Sequence, residues 1–216
     1  MAAQAGARRH IVWIAYLHET GAAVTMDKFG EPGVDTQRQA LDPRRICNMM
    51  LDEAGTRPIT NLALQKLLYF AHGIYLVETT FPLVTGYFEA WQYGPVHPLA
   101  YMAFRAAGDR PIDFRALRRD PLTGQISALD GPVDEDAIGC VRRVMMTYSR
   151  MTPGRLVELS HATGAPWHFV VDKARTSTAF GMRIRDSVIL SLFKKHKVLV
   201  GLVPEKGEPL EDKQFA

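Results

Sequence analysis

Seven histidines, His10, His18, His72, His97, His161, His168 and His196, are the side chains here best suited to acid–base or metal chemistry. His161 and His168 are separated by a turn that includes Gly164-Ala165-Pro166. They read as a hydrogen-bonded structural histidine and a surface one. Ser160 precedes His161, but neighbouring side chains on a helix point to different faces, so the two do not form a nucleophile–base pair. The two cysteines, Cys47 and Cys140, each lie inside an apolar, helix-like stretch and read as reduced core thiols. They are too far apart, with no signal peptide, to suggest a disulfide framework. Zinc-finger Cys spacing, a His-Glu-x-x-His run and a phosphate-cradling glycine loop are all missing from the sequence. Local spacing selects no pair of carboxylates. No metal, cofactor or catalytic group is therefore expected.

Basic residues cluster in three short runs: Arg115/Arg118/Arg119, Arg142/Arg143 and Lys194/Lys195/Lys197. They read as solvated charge, since aromatics do not interleave with them as in a single-strand binding groove. The formal net charge of +3 is too small to argue for nucleic acid. No segment carries a compact helix-turn-helix pattern with a basic second helix.

These side chains need elements to hold them. At 216 residues and 47 % apolar content the chain can fill one core, and 23 % charged residues suit an ordinary globular surface. Asp42-Pro43 opens a helix carrying Ile46, Met49, Met50 and Ala54, and Gly55 stops it. Thr60 caps a second helix, whose stripe of Leu64, Leu67, Leu68, Ala71, Ile74 and Tyr75 recurs every three to four residues. Phe81-Pro82 ends that segment. Residues 87–93 read as a short strand or extended segment, broken sharply by Gly94-Pro95. A short helix starts near Pro98 with Leu99, Met102 and Phe104. Residues 108–133 form an irregular connection with a possible strand pair around Thr123-Gly124. Asp134, Thr152-Pro153 and Asp186 each open a further helix. The fold class is mostly α: a single compact helical domain over residues 42–203 with a small β or extended element around 87–93.

Residues 1–41 stand apart as an N-terminal extension or linker. Within them, 21–39 is rich in glycine, small residues and charge. Met26 lies in this stretch, and one reading has translation start there, with 1–25 an upstream read-in. The apolar run 11–17 behind Arg8 and Arg9 is too short to span a bilayer and lacks a convincing cleavage site. The chain reads as cytoplasmic, without a membrane partner. Residues 204–216 read as a flexible polar tail.

Three stretches carry a resemblance. They are TNLALQKLLYFAHG (residues 60–73), FEAWQYGPVHP (88–98), and LVELSH (156–161) followed by Pro166-Trp167. In that order and spacing they resemble the Panacea domain, the antitoxin domain of many bacterial and phage toxin–antitoxin modules, and most closely its SocA-type members. The match covers about residues 42–196. The resemblance implies a non-enzymatic protein that binds a cognate toxin encoded beside it. For SocA-type members it also implies a second role as an adaptor that tethers the toxin to the ClpXP protease.

Within the motifs, Gln65, Lys66, Trp91, Tyr93, Gly94, Pro95, His161 and Trp167 are the candidate residues, for toxin binding or for structure. A strand would place Trp91 and Tyr93 on one face. Those aromatics either pin the extended segment to the long helix or anchor the toxin. Trp167 reads as a core plug. Gln65 and Lys66 interrupt the apolar stripe, as a solvated face would. Two other functions stay open: a DNA-binding autoregulator, and an enzyme with a pocket near His97 and His161.

Overall fold

The computed structural model describes residues 11–12, 38–176, 182–193, 198–199 and 212–215. The readings that rest on His10, His18, Met26, Lys194, Lys195, His196 and Lys197 lie outside the described residues. Ile11–Val12 (β1) pairs antiparallel with Val198–Leu199 (β7). Seven α-helices make up about half of the described residues, and none is long and apolar enough to cross a membrane.

Helix starts follow the capping side chains. Asp42 accepts from the Arg44 backbone N–H at 2.9 Å and opens α1 (Pro43–Ala54). Thr60 accepts from the Ala63 N–H at 3.3 Å and opens α2 (Asn61–Thr79). Asp134 and Thr152 do the same for α4 (Glu135–Tyr148) and α5 (Pro153–Ser160). Each cap satisfies an N–H that the first helical turn leaves without a partner.

α2 departs from the amphipathic stripe. Fifteen of its nineteen residues are buried, on every face, so it is a central helix with no solvated side along most of its length. α1, α4 and α5 pack around it, together with α3 (Pro98–Phe104) and α7 (Asp186–Leu192). Gly73 permits the approach of α7's C-terminal cap: a Cβ there would sit 2.3 Å from the Phe193 ring. Both cysteines are free and fully buried in this core. Burial pushes the Cys140 thiol up to about 12 and the Cys47 thiol higher still.

The extended segment is a hairpin. β2 (Phe88–Trp91) turns through Gln92-Tyr93 into β3 (Gly94–Val96), with Trp91 opposite Gly94 and Ala90 opposite Pro95. Gly94-Pro95 therefore continues the sheet where a sharp break was expected. β3 is an edge strand, which tolerates a proline without an N–H to donate. Tyr93 lies half-buried in the turn and does not share a strand face with Trp91. β6 (Arg183–Ile184) adds a third strand on the other side of β2, with Phe88 opposite Ile184. Two further elements were not anticipated as such. α6 (Pro166–Thr176) follows the Gly164-Ala165 turn, and β4 (Arg118–Arg119) pairs with β5 (Ile126–Ser127) as an exposed hairpin where a strand pair was only a possibility.

Candidate functional site: a buried lysine and the segment that covers it

Seven of the eight candidate residues converge where the β2–β3 hairpin crosses the N-terminal half of α2. Gln65 and Lys66 are both fully buried, which overturns the solvated-face reading. Gln65 uses both ends of its amide: Nε2 donates to Asn61 Oδ1 at 3.1 Å, and Oε1 accepts from the His97 backbone N–H at 3.0 Å. It thereby ties the end of β3 to the central helix.

Lys66 is the unusual residue. Its Nζ donates to the Pro95 carbonyl at 3.3 Å and to both carboxylate oxygens of Asp212, at 2.8 and 3.1 Å. Both side chains are wholly inaccessible to solvent. Burial pushes the ammonium below the usual lysine range, while the Asp212 carboxylate pulls it back up. A buried charge of this kind persists only with a charged or strongly polar partner.

Gly94 makes room for this arrangement. It has φ +106°, a conformation that side chains rarely adopt, and a Cβ would lie 2.4 Å from Ser160 Oγ and 3.1 Å from Lys66 Cε. Ser160 Oγ itself donates to the Val157 carbonyl at 2.8 Å, as a buried hydroxyl closing a turn of α5.

The aromatic residues close one side. Trp167 Nε1 donates to the Trp91 carbonyl at 2.9 Å, joining α6 to the hairpin. The His161 ring stacks on Trp167, with centroids 3.6 Å apart and planes 11° from parallel. Its Nε2 is sealed from solvent with no hydrogen-bond partner. Burial, aided by the positive charges of Lys66 and His168, holds the His161 imidazole down to about 3. Trp91 is itself buried, edge-on to Tyr101 at 4.8 Å, with Nε1 donating to Glu89 at 2.9 Å.

Asp212 belongs to the last described segment, 212–215, which lies along this site although the sequence suggested a free tail. The Gln92 N–H donates to the Lys213 carbonyl at 2.6 Å, and the Phe215 ring centroid lies 6.2 Å from that of Trp167. Sequence reasoning set Asp212 in a polar tail and missed it as the partner of Lys66. The only signal for it was a lysine inside an apolar stripe, which demands an anion without saying where in the chain that anion lies.

The remaining titratable candidates are absorbed by packing. His97 Nε2 lies 2.8 Å from the Thr85 carbonyl, its ring meets Phe88 edge-on, and burial lowers its proton affinity. His168 pairs with Asp172 on the same helix. Three of the five arginines of the basic runs are held by acids: Arg115 by Asp52, Arg142 by Glu53 and Arg143 by Glu78. Among the described residues no group of three or more His, Cys, Asp or Glu side chains is placed to hold a metal ion.

Comparison with known proteins bears directly on this arrangement. Residues 64–168, which contain every candidate residue, match the family model described as antitoxin SocA-like, Panacea domain. The chain is also 43 % identical over 183 residues to Antitoxin SocA of Caulobacter vibrioides (strain NA1000 / CB15N), covering 84 % of this chain and 97 % of that protein. The chain belongs to the SocA-like Panacea antitoxin family. No solved structure matches it. Of the segment that covers Lys66, the family match includes none, because it stops at residue 168. The seat thus lies within residues 64–168 matched by the family model, and its occupant lies beyond them.

Proposed function

We propose that this protein neutralises the toxin of a bacterial toxin–antitoxin module by direct protein contact in the cytoplasm, without catalysis. The observation that carries this reading is the 43 % identity with Antitoxin SocA across nearly all of that protein's length. A stable complex of this kind buries on the order of 800 Å² per partner. The commitment of His97 and His161 to packing supports a binding protein over an enzyme. The acids paired with Arg115, Arg142 and Arg143 support it over a DNA-binding autoregulator.

A further role follows from the SocA-type resemblance: delivery of the bound toxin to ClpXP as a degradation adaptor. The acidic stretch 205–212 is one candidate tether to the protease. Asp212 does not serve in that tether while it holds Lys66.

Co-expression with the product of the adjoining gene tests the antitoxin reading. A stoichiometric complex and restored growth are expected. Absence of any complex, together with unaided turnover of a small compound, overturns it. Toxin half-life in a reconstituted ClpXP reaction, with and without this protein, tests the adaptor role.

A further inference from the structure

The 212–215 segment contacts the body of the protein as a bound peptide would. One carboxylate enters a closed pocket, one backbone carbonyl accepts from the body, and one aromatic ring sits beside an indole. The pocket floor is Lys66 Nζ with the Pro95 carbonyl, and its wall is the side-chain-free edge at Gly94. The backbone contact is Gln92 N–H to Lys213 O, and the ring contact is Phe215 near Trp167. Lys213 and Gln214, between the two anchors, are exposed; Phe215 is 41 % exposed, so Asp212 is the one fully enclosed side chain of the segment.

We propose that this seat is a peptide receptor for an extended segment bearing a carboxylate and, three residues later, an aromatic ring. The chain's own residues 212–215 occupy it in cis, and a segment of the partner polypeptide with the same two anchors replaces them on binding. The inference rests on the protein-binding role proposed above and names the chemistry of one contact within it.

Charge makes the selection. Among the described residues Lys66 has hydrogen bonds only to Pro95 and Asp212, so a departing tail takes away both of its carboxylate contacts and leaves its ammonium facing one carbonyl. An incoming segment that closes the seat again must bring an acid, because without one it would bury the ammonium with no anion beside it. An apolar or basic segment cannot take the place. The tail competes as an attached ligand, at an effective concentration on the order of millimolar. The receptor therefore rejects weak peptides and admits a partner that brings further contacts.

The test uses the full chain with Asp212→Asn and an acetylated hexapeptide of the sequence of residues 211–216, titrated by tryptophan fluorescence. The variant should bind the peptide at least about tenfold more tightly than the wild type, because its own tail competes less well. The same peptide with its Asp replaced by Asn should bind neither protein. Equal affinity of both proteins for the peptide, or indifference to the Asn replacement, overturns the proposal. If Asp212→Asn does not fold, the wild-type chain is titrated with millimolar peptide and followed by NMR. Shifts of the Gln92 and Lys213 amide signals support exchange at the seat, and unchanged signals overturn it. Failure here alongside a stoichiometric complex with the neighbouring gene product removes this inference alone. Loss of that complex with intact peptide exchange removes the antitoxin reading alone.

Discussion

Lys66, midway along the N-terminal half of the central helix, grips Asp212, 146 residues further along the chain, through both carboxylate oxygens. Neither side chain reaches solvent, so the two residues are coupled in stability. Removing one member of a buried pair strands the other and costs about 3–5 kcal/mol, whereas replacing both with apolar residues is often neutral. Lys66→Met and Asp212→Leu should each lower the unfolding free energy by ~3 kcal/mol. The double variant should recover most of that loss. Urea unfolding of the four proteins measures the coupling, and simple additivity would contradict it.

Gly94 should tolerate no side chain. Alanine there adds left-handed backbone strain of about 1–3 kcal/mol to a clash with Ser160 Oγ. Adding Ser160→Ala removes the hydroxyl but leaves the backbone strain. The thermal midpoint should therefore drop with Gly94→Ala and rise only partway with the second change.

His161 makes stability depend on pH. In the folded protein its imidazole takes a proton only near 3, against 6.5 when unperturbed. Between those values the unfolded chain binds more protons than the folded one. The stability contribution is therefore complete above about pH 6.5 and declines as the pH falls, by at most ~1.4 kcal/mol per unit. Thermal melts at intervals from pH 7.5 to 4.5 should show a shallower decline for His161→Gln than for the wild type. Parallel curves would show that His161 is protonated in the fold.

Trp167→Phe should keep an aromatic ring, though a smaller one, and lose the N–H that satisfies the Trp91 carbonyl. Leaving that buried oxygen without a donor costs about 1–3 kcal/mol. Trp91→Ala should cost about 3–5 kcal/mol, as expected for a core aromatic. Measuring toxin binding on the folded fraction of each variant separates packing from contact.

Cys47 and Cys140 should resist thiol reagents in the native protein and react together on unfolding, because both are buried with raised thiol pKa values. Reaction with a chromogenic disulfide, with and without denaturant, checks this.

Local chemistry made much of the fold readable. Asp42, Thr60, Asp134 and Thr152 announce their helices because a cap acts within four residues. α6 has no such cap, and its apolar residues follow a Gly-Ala-Pro turn that hid it. β6 is two residues long and exists only through its pairing with β2. The motif residues were legible as a set, but Gln65 and Lys66 were placed on the wrong side of the surface. Periodicity assigns a polar residue to solvent, and only the three-dimensional partner reveals otherwise. For Lys66 that partner lies at the far end of the chain, beyond the reach of any local pattern.

The position of Asp212 also bears on how the polypeptide is made. Translation delivers the central helix long before it delivers the acid that its lysine requires. A nascent chain whose Asp212 is still inside the ribosomal exit tunnel must keep that lysine hydrated, so its interior stays open until Asp212 has emerged. A frameshift or stop codon just ahead of Asp212 therefore strikes at the centre of the molecule.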